Sequence, residues 1–121
     1  MPSKKEAGQE GEDTAVATLK RSGYKIIERN YRNFLGEIDI IAEEGGYLVF
    51  VEVKKRNSST FGESLLAIDK RKKQHIIRSA TYYLKDHKCM ERKVRFDVVG
   101  IDREKVKVVK HAFIAEELSN N

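Results

Sequence analysis

The sequence predicts an α/β fold: two helices flanking a mixed five-stranded sheet, in the order α-β-β-β-α-β-β. Three observations predict it. Apolar residues recur at helical spacing near the N-terminus and again between Ile76 and Leu84. The residues on either side of Gly45-Gly46 alternate as two strands of a hairpin, and two further alternating segments, "VRFDVVGI" and "VKVVKHAFI", follow the second helix. The 121 residues suffice for one domain of residues 1–121 and are too few for two ordinary ones.

The first helix is expected from about Lys4, behind a Ser3-x-x-Glu6 capping box, to about Arg21, with Ser22-Gly23 as its stop. Gly8, Glu12, Ala15, Val16 and Leu19 fall on one stripe of it, which places an acid in line with the core residues. Glu12 is then either buried with a partner or a cation, or solvated at a protruding end of the helix. Tyr24 to Arg32 reads as the first strand, and Gly36 to Arg56 as a hairpin turning at Gly45-Gly46. Arg56 to Ile68 is a polar loop. Asp69 is a good N-cap for a second helix to about His87, with Ile76, Ala80, Tyr83 and Leu84 inward. The last two strands are joined through Asp102-Arg103-Glu104-Lys105.

The two-residue turn fixes a register. If Glu44 pairs with Tyr47, Asp39 lies directly across from Glu52, with Cβ atoms about 5 Å apart. In "VFVEVK", Val49, Val51 and Val53 form the core face, while Phe50, Glu52 and Lys54 share the other. Opposed carboxylates repel unless a divalent cation lies between them. Carboxylate oxygens, a backbone carbonyl such as that of Val53, and water suit the octahedral shell of Mg²⁺. Lys54, one pleat beyond Glu52, is placed to hold a water or to neutralise charge developing on a phosphate. Glu12 would add a third carboxylate. A Glu-x-Lys triplet alone says almost nothing, because a solvated sheet face is its ordinary explanation. The in-register Asp39 and the acid on an apolar helical stripe are what favour metal-dependent cleavage of a phosphodiester.

At these residues the chain resembles a known family. "GEDTAVATLKRSGYKIIERNYRNFLGEIDIIA", "VFVEVKKR", "FG", "KRKKQHIIRSATYYL" and "RFDVV" occur in the order found in the bacterial YraN-type family of predicted endonucleases, which is similar to archaeal Holliday junction resolvases. The resemblance covers about Gly8 to Phe113. It implies the restriction-endonuclease-like core with a PD-(D/E)xK-type site, and by motif position it assigns Glu12, Asp39, Glu52 and Lys54 as the catalytic set. The proline of that motif is absent here, Ile38 standing before Asp39. By analogy with the resolvases, which cut symmetrically, it also implies a homodimer.

Twenty-four basic against nineteen acidic residues give a net charge of +5, a weak pointer to a polyanion such as DNA or simply a basic domain. Lys70, Arg71, Lys72 and Lys73 open the second helix, where cations oppose the helix dipole and phosphate is the compensating ligand. The resemblance singles out Lys72 among them. They are otherwise a solvated helix start. Lys55 and Arg56, with the loop bearing Ser58, Ser59 and Phe61, are further candidates for DNA contact, and Tyr31 and Phe34 for base stacking. No base-reading element is recognisable, so recognition of backbone and shape is expected. The single Cys89 forbids an intrachain disulfide, and His75, His87 and His111 lack the spacing of a zinc site. With no signal peptide and no apolar run of spanning length, the expected compartment is the cytoplasm, with no membrane partner. The leading expectation is a nuclease using Mg²⁺ or Mn²⁺ on DNA, branched or single-stranded. The rivals are a non-cleaving nucleic-acid-binding protein on the same fold and a plain interaction module.

Overall fold

The computed structural model describes residues 4–56, 68–103 and 105–115, with the side chains of residues 4–8 and of Arg56 outside that description. The Ser3–Glu6 box and the loop with Ser58, Ser59 and Phe61 therefore lie outside the described residues. The elements are α1 (Lys4–Arg21), β1 (Lys25–Asn33), β2 (Gly36–Glu44), β3 (Tyr47–Arg56), α2 (Lys70–Asp86), β4 (Val94–Asp102) and β5 (Lys105–Phe113). They form one five-stranded sheet in the order β1-β2-β3-β4-β5. Only β3 and β4 run parallel, and α2 lies between them in the chain, as a parallel connection requires. The predicted order and mixed sheet are those observed.

Local signals set the ends of the elements. Past Arg21 the chain makes a Schellman turn, Tyr24 N donating to Leu19 O at 3.0 Å and Gly23 N to Lys20 O at 3.1 Å. Gly45 and Gly46 both have positive φ, 61° and 86°, as the tight turn between β2 and β3 demands. The Asp69 carboxylate accepts from Lys72 N at 2.8 Å and caps α2.

The sheet is buried on both sides. On one face, Ala15, Val16 and Leu19 of α1 pack with Tyr24 against Ile40, Ala42, Val49, Val51, Val99 and Ile101. On the other, Ile76, Ala80, Tyr83 and Leu84 of α2 pack against Ile38, Ile41, Leu48, Phe50, Phe96 and Val98. The valine face of β3 thus meets α1, and the Phe50 face meets α2. Alternation along β2 slips at one place: Ile38 faces α2 while Ile40 faces α1, although residues two apart in a regular strand share a face. The residue at the slip is Asp39. Asn30, between the partners of Ile38 and Ile40 on β1, has φ 54°.

Toward the start of β4 the α1 face carries charge. Arg95 and Asp97 are 4% and 1% exposed and are joined by hydrogen bonds of 2.9 and 3.0 Å. Asp97 also accepts from Tyr24 Oη at 2.7 Å and from His111 N at 3.1 Å, where the β4–β5 pairing shifts register. Arg95 Nη2 further meets Glu44 at 2.7 Å. Burial, then the hydrogen bond to and charge of Asp97, hold the Tyr24 phenol above its ordinary pKa. Every charge in this network has a hydrogen-bonded counter-charge, the condition under which ions persist in a core. No helix among the described residues is long and apolar enough to cross a membrane.

Candidate active site

The β2–β3 ladder follows the predicted register from Glu44↔Tyr47 through Ile40↔Val51 and ends there. Beyond it Asp39 does not continue the backbone pairing. Its carboxylate turns across and accepts from Val53 N at 2.7 Å, so a side chain closes the end of the ladder. This geometry grows out of the slip in β2: an acid at the point where the strand changes sides is free of both cores and reaches its neighbour strand.

Glu52 stands next to it with a side chain only 11% exposed. Its carboxyl is within hydrogen-bonding range of Asp39, and its pKa is pushed from 4.5 up to about 8, first by burial and then by the hydrogen bond with and charge of Asp39. Lys72 Nζ, 3.4 Å from Glu52 Oε2, pulls in the opposite direction. Lys54 follows on the same face of β3, half-buried, beside Gly100 of β4, which contributes no side chain.

The α1 side of the same strand end forms a cleft of about 480 Å³ lined by Glu12, Asn30, Arg32, Asp39, Val53 and Lys55, among others. Glu12 is half-buried, at 12% side-chain exposure, and paired within the chain. Its partner is Arg29 of β1, whose Nε lies 3.3 Å away while Nη2 reaches the exposed Asp13 at 2.6 Å. Burial raises the Glu12 pKa, Arg29 opposes that rise, and the charge of Asp39 adds to it. The stem of Lys55 crosses α1 at Gly11, where an added Cβ would come within 3.0 Å of its Cδ.

The candidate residues are thus brought together in two groups. Asp39 and Glu52 meet directly and Lys54 shares their strand end, whereas Glu12 feels Asp39 electrostatically but is engaged by Arg29. Among the described residues no three acidic, histidine or cysteine side chains stand close enough to form a ready-made metal cluster. The donor chemistry nonetheless fits a divalent cation at the pair: a buried carboxyl that holds its proton because a second carboxylate faces it would release that proton to a cation. Asp39, Glu52 and the Val53 carbonyl would hold it, with Glu12 nearby as a further acid.

The basic residues divide as well. Lys70 and Arg71 are exposed, Lys72 turns to Glu52, and Lys73 lies with its ammonium 5.6 Å from the centre of the Phe113 ring. Consecutive helical residues are about 100° apart, so the four cannot face one phosphate row together. Tyr31 is buried in the α2 core, which removes it as a stacking residue, while Phe34 is 80% exposed. Arg29 was not foreseen, and no local signal marks it, because its ion pairs are made only when β1 lies beside α1.

The raised Glu52 pKa has a measurable consequence. Between pH 4.5 and about 8 the native state keeps a proton that the unfolded chain has released, so stability falls as pH rises through that window. Metal-free wild type should therefore lose up to about 1.4 kcal/mol per pH unit there. Glu52→Gln should flatten the slope and be the more stable protein at pH 8. Parallel melting-temperature profiles for the two proteins would show that the pair is not strained.

A family model described as "Uncharacterised protein family UPF0102" matches residues 11–101, a span holding every site residue named above. The chain is 44% identical over 106 residues to a UPF0102 protein of Persephonella marina, covering 88% of this chain and 91% of that protein. It is 48% identical over 112 residues to one of Moorella thermoacetica (88% and 93%), and 41% identical over 113 residues to one of Legionella pneumophila (91% and 96%). With the family model spanning residues 11–101 and these relatives covering about nine-tenths of the chain, the protein belongs to the UPF0102 family.

Proposed function

We propose that the protein is a nuclease that hydrolyses DNA phosphodiesters with Mg²⁺ or Mn²⁺ held by Asp39, Glu52 and the Val53 carbonyl. The observation that carries this reading is the Asp39 carboxylate closing the end of the hairpin beside the largely shielded Glu52, with Lys54 on the same strand face. When bound, the metal would supply a Lewis acid for the phosphate and a nucleophilic water at neutral pH. The chain's own residues do the rest. Lys54 orients the attacking water and offsets charge developing on the phosphate. With Glu52 engaged by the metal, Lys72 would be free to meet a backbone phosphate. Lys55 brings positive charge to the Glu12 side of the cleft. The non-cleaving DNA-binding alternative has one observation in its favour: Arg29 and Lys72 already engage Glu12 and Glu52 from within the chain.

Incubating the protein with duplex, single-stranded, flap and four-way DNA in Mg²⁺ or Mn²⁺ separates the two readings. Lys54→Ala should cut the best substrate at least ~100-fold more slowly, the cost of removing one transition-state donor. Its metal-free DNA affinity should stay within about twofold of wild type, because the charge acts on the transition state. Cleavage at the wild-type rate would make Lys54 a surface lysine, and absence of cleavage on every substrate would favour the binding protein.

A further inference from the structure

The β1–β2 turn presents an aromatic ring where a soluble surface ordinarily has none. Phe34 is 80% exposed and meets Tyr82 of α2, itself 38% exposed, edge to face at 5.2 Å between ring centres. The turn is held rigidly. Asn33 donates to Tyr31 Oη at 3.0 Å and to Ser79 O at 3.3 Å, and its carbonyl accepts from Leu35 N at 2.8 Å. Gly36, at φ 150°, lies so close to α2 that a Cβ would come within 2.9 Å of Ser79 Oγ. Three hydrogen bonds thus fix a turn whose ring buries little of its own surface, an arrangement with little return in folding energy.

What lies beside the rings indicates what they meet. A cleft of about 380 Å³ lined by Arg32, Asn33, Gly36, Glu37, Lys72 and His75 runs from the turn to the start of α2. Lys72 continues it to Glu52. Arg78 is exposed one helical turn before Tyr82. Among the described residues lining this cleft the acid is Glu37, paired with Arg32 at 3.2 Å in an exposed contact that costs little to break. Cations around a ring pair that stands, among the described residues, apart from other exposed aromatic rings match a phosphate backbone with bases turned toward the rings, whereas a protein partner calls for a continuous apolar patch of several hundred Å². The ten residue steps of α2 from Lys72 to Tyr82 rise about 15 Å. That is about four stacked nucleotides at 3.4 Å each, so one strand can touch both.

We propose that Phe34 and Tyr82 form a stacking platform for unpaired bases, which directs the neighbouring site to single-stranded, bulged or branched DNA in preference to intact duplex. This rests on the nuclease reading for its consequence, but not for its test. Binding is measured by fluorescence anisotropy in EDTA, so that no cleavage intervenes, with three DNA probes: a single strand, a paired duplex, and a duplex with a three-nucleotide bulge carrying 2-aminopurine. Phe34→Ala should weaken the single-stranded and bulged probes by about 5-fold to 100-fold, the range seen when a stacking ring is removed. Duplex affinity should change less than twofold. Phe34→Trp should preserve affinity and quench the 2-aminopurine. The exposure of Phe34 leaves the fold intact in both variants, which a melting curve checks. Equal weakening of all three probes, no weakening of any, or no DNA binding by wild type overturns the platform. So does a change in sedimentation in place of DNA affinity, which would make the rings a self-association face. Selective loss in Phe34→Ala with no cleavage by wild type in Mg²⁺ or Mn²⁺ keeps the platform and sinks the nuclease. Cleavage and binding of Phe34→Ala at wild-type levels does the reverse.

Discussion

Asp39→Asn should abolish the metal-dependent rise in melting temperature and reduce cleavage by at least about 10³-fold, as the loss of both metal and activated water requires. The Asp39 carboxylate accepts a hydrogen bond from Val53 N. An asparagine carbonyl can still accept that bond, so the end of the β2–β3 ladder survives. What disappears is the negative charge that helps hold the Glu52 pKa near 8. The metal-free variant should therefore be at least as stable as wild type at pH 8, an outcome opposite in sign to simple damage. In wild type, metal at a hundred times its dissociation constant would add about 2.7 kcal/mol through linkage to the folded state. For a chain of this length that corresponds to a rise on the order of 10 °C. Equal shifts in the two proteins would remove the site, whatever the cleavage assay showed.

The second large effect is on stability. Asp97→Ala should cost about 3–5 kcal/mol, as removal of one partner from a buried ion pair does. It leaves Arg95 with Glu44 as its remaining carboxylate, the Tyr24 hydroxyl without its acceptor, and His111 N without the bond that bridges the register shift in β5. The melting temperature should fall by roughly 10–25 °C. Replacing Arg95 and Asp97 together by leucine and valine should cost less than Asp97→Ala alone, because no uncompensated charge is left in the core. Asp97 lies on the α1 face and Glu52 on the other, so the metal-dependent shift should persist in Asp97→Ala below its melting point. A cost under 1 kcal/mol would mean that the network is slack.

Much of the site was legible because the information was local. Gly45-Gly46 dictates a two-residue turn, the turn dictates the register, and the register carries Asp39 to the level of Glu52 with no knowledge of the rest of the fold. The inward stripe of α2 and the Asp69 cap were legible for the same reason: each depends on residues within one or two helical turns. Reading β2 as a uniform strand, however, misses the slip at Asp39, and with it the side-chain bond to Val53 N. Nothing within "GEIDII" signals where alternation will fail. That is decided by which core each isoleucine finds.

The charges divide along the same line. Glu12 on an apolar stripe was a recognisable anomaly, but whether it met solvent, a cation or an arginine was open until β1 brought Arg29 against α1. Lys70 to Lys73 read as one basic run, yet the helix turns them apart, toward solvent, Glu52 and Phe113. Arg95 and Asp97, in a segment that reads simply as a strand, became the buried network joining β4 to Tyr24, Glu44 and β5. By itself the sequence determined the order of elements, the hairpin register and the identity of the acids at its open end, because propensity, turn chemistry and periodicity act over a few residues. Only the tertiary structure decided which cation each acid meets, which ring is left exposed and where the strand changes sides, because those follow from surfaces that folding brings together from distant parts of the chain.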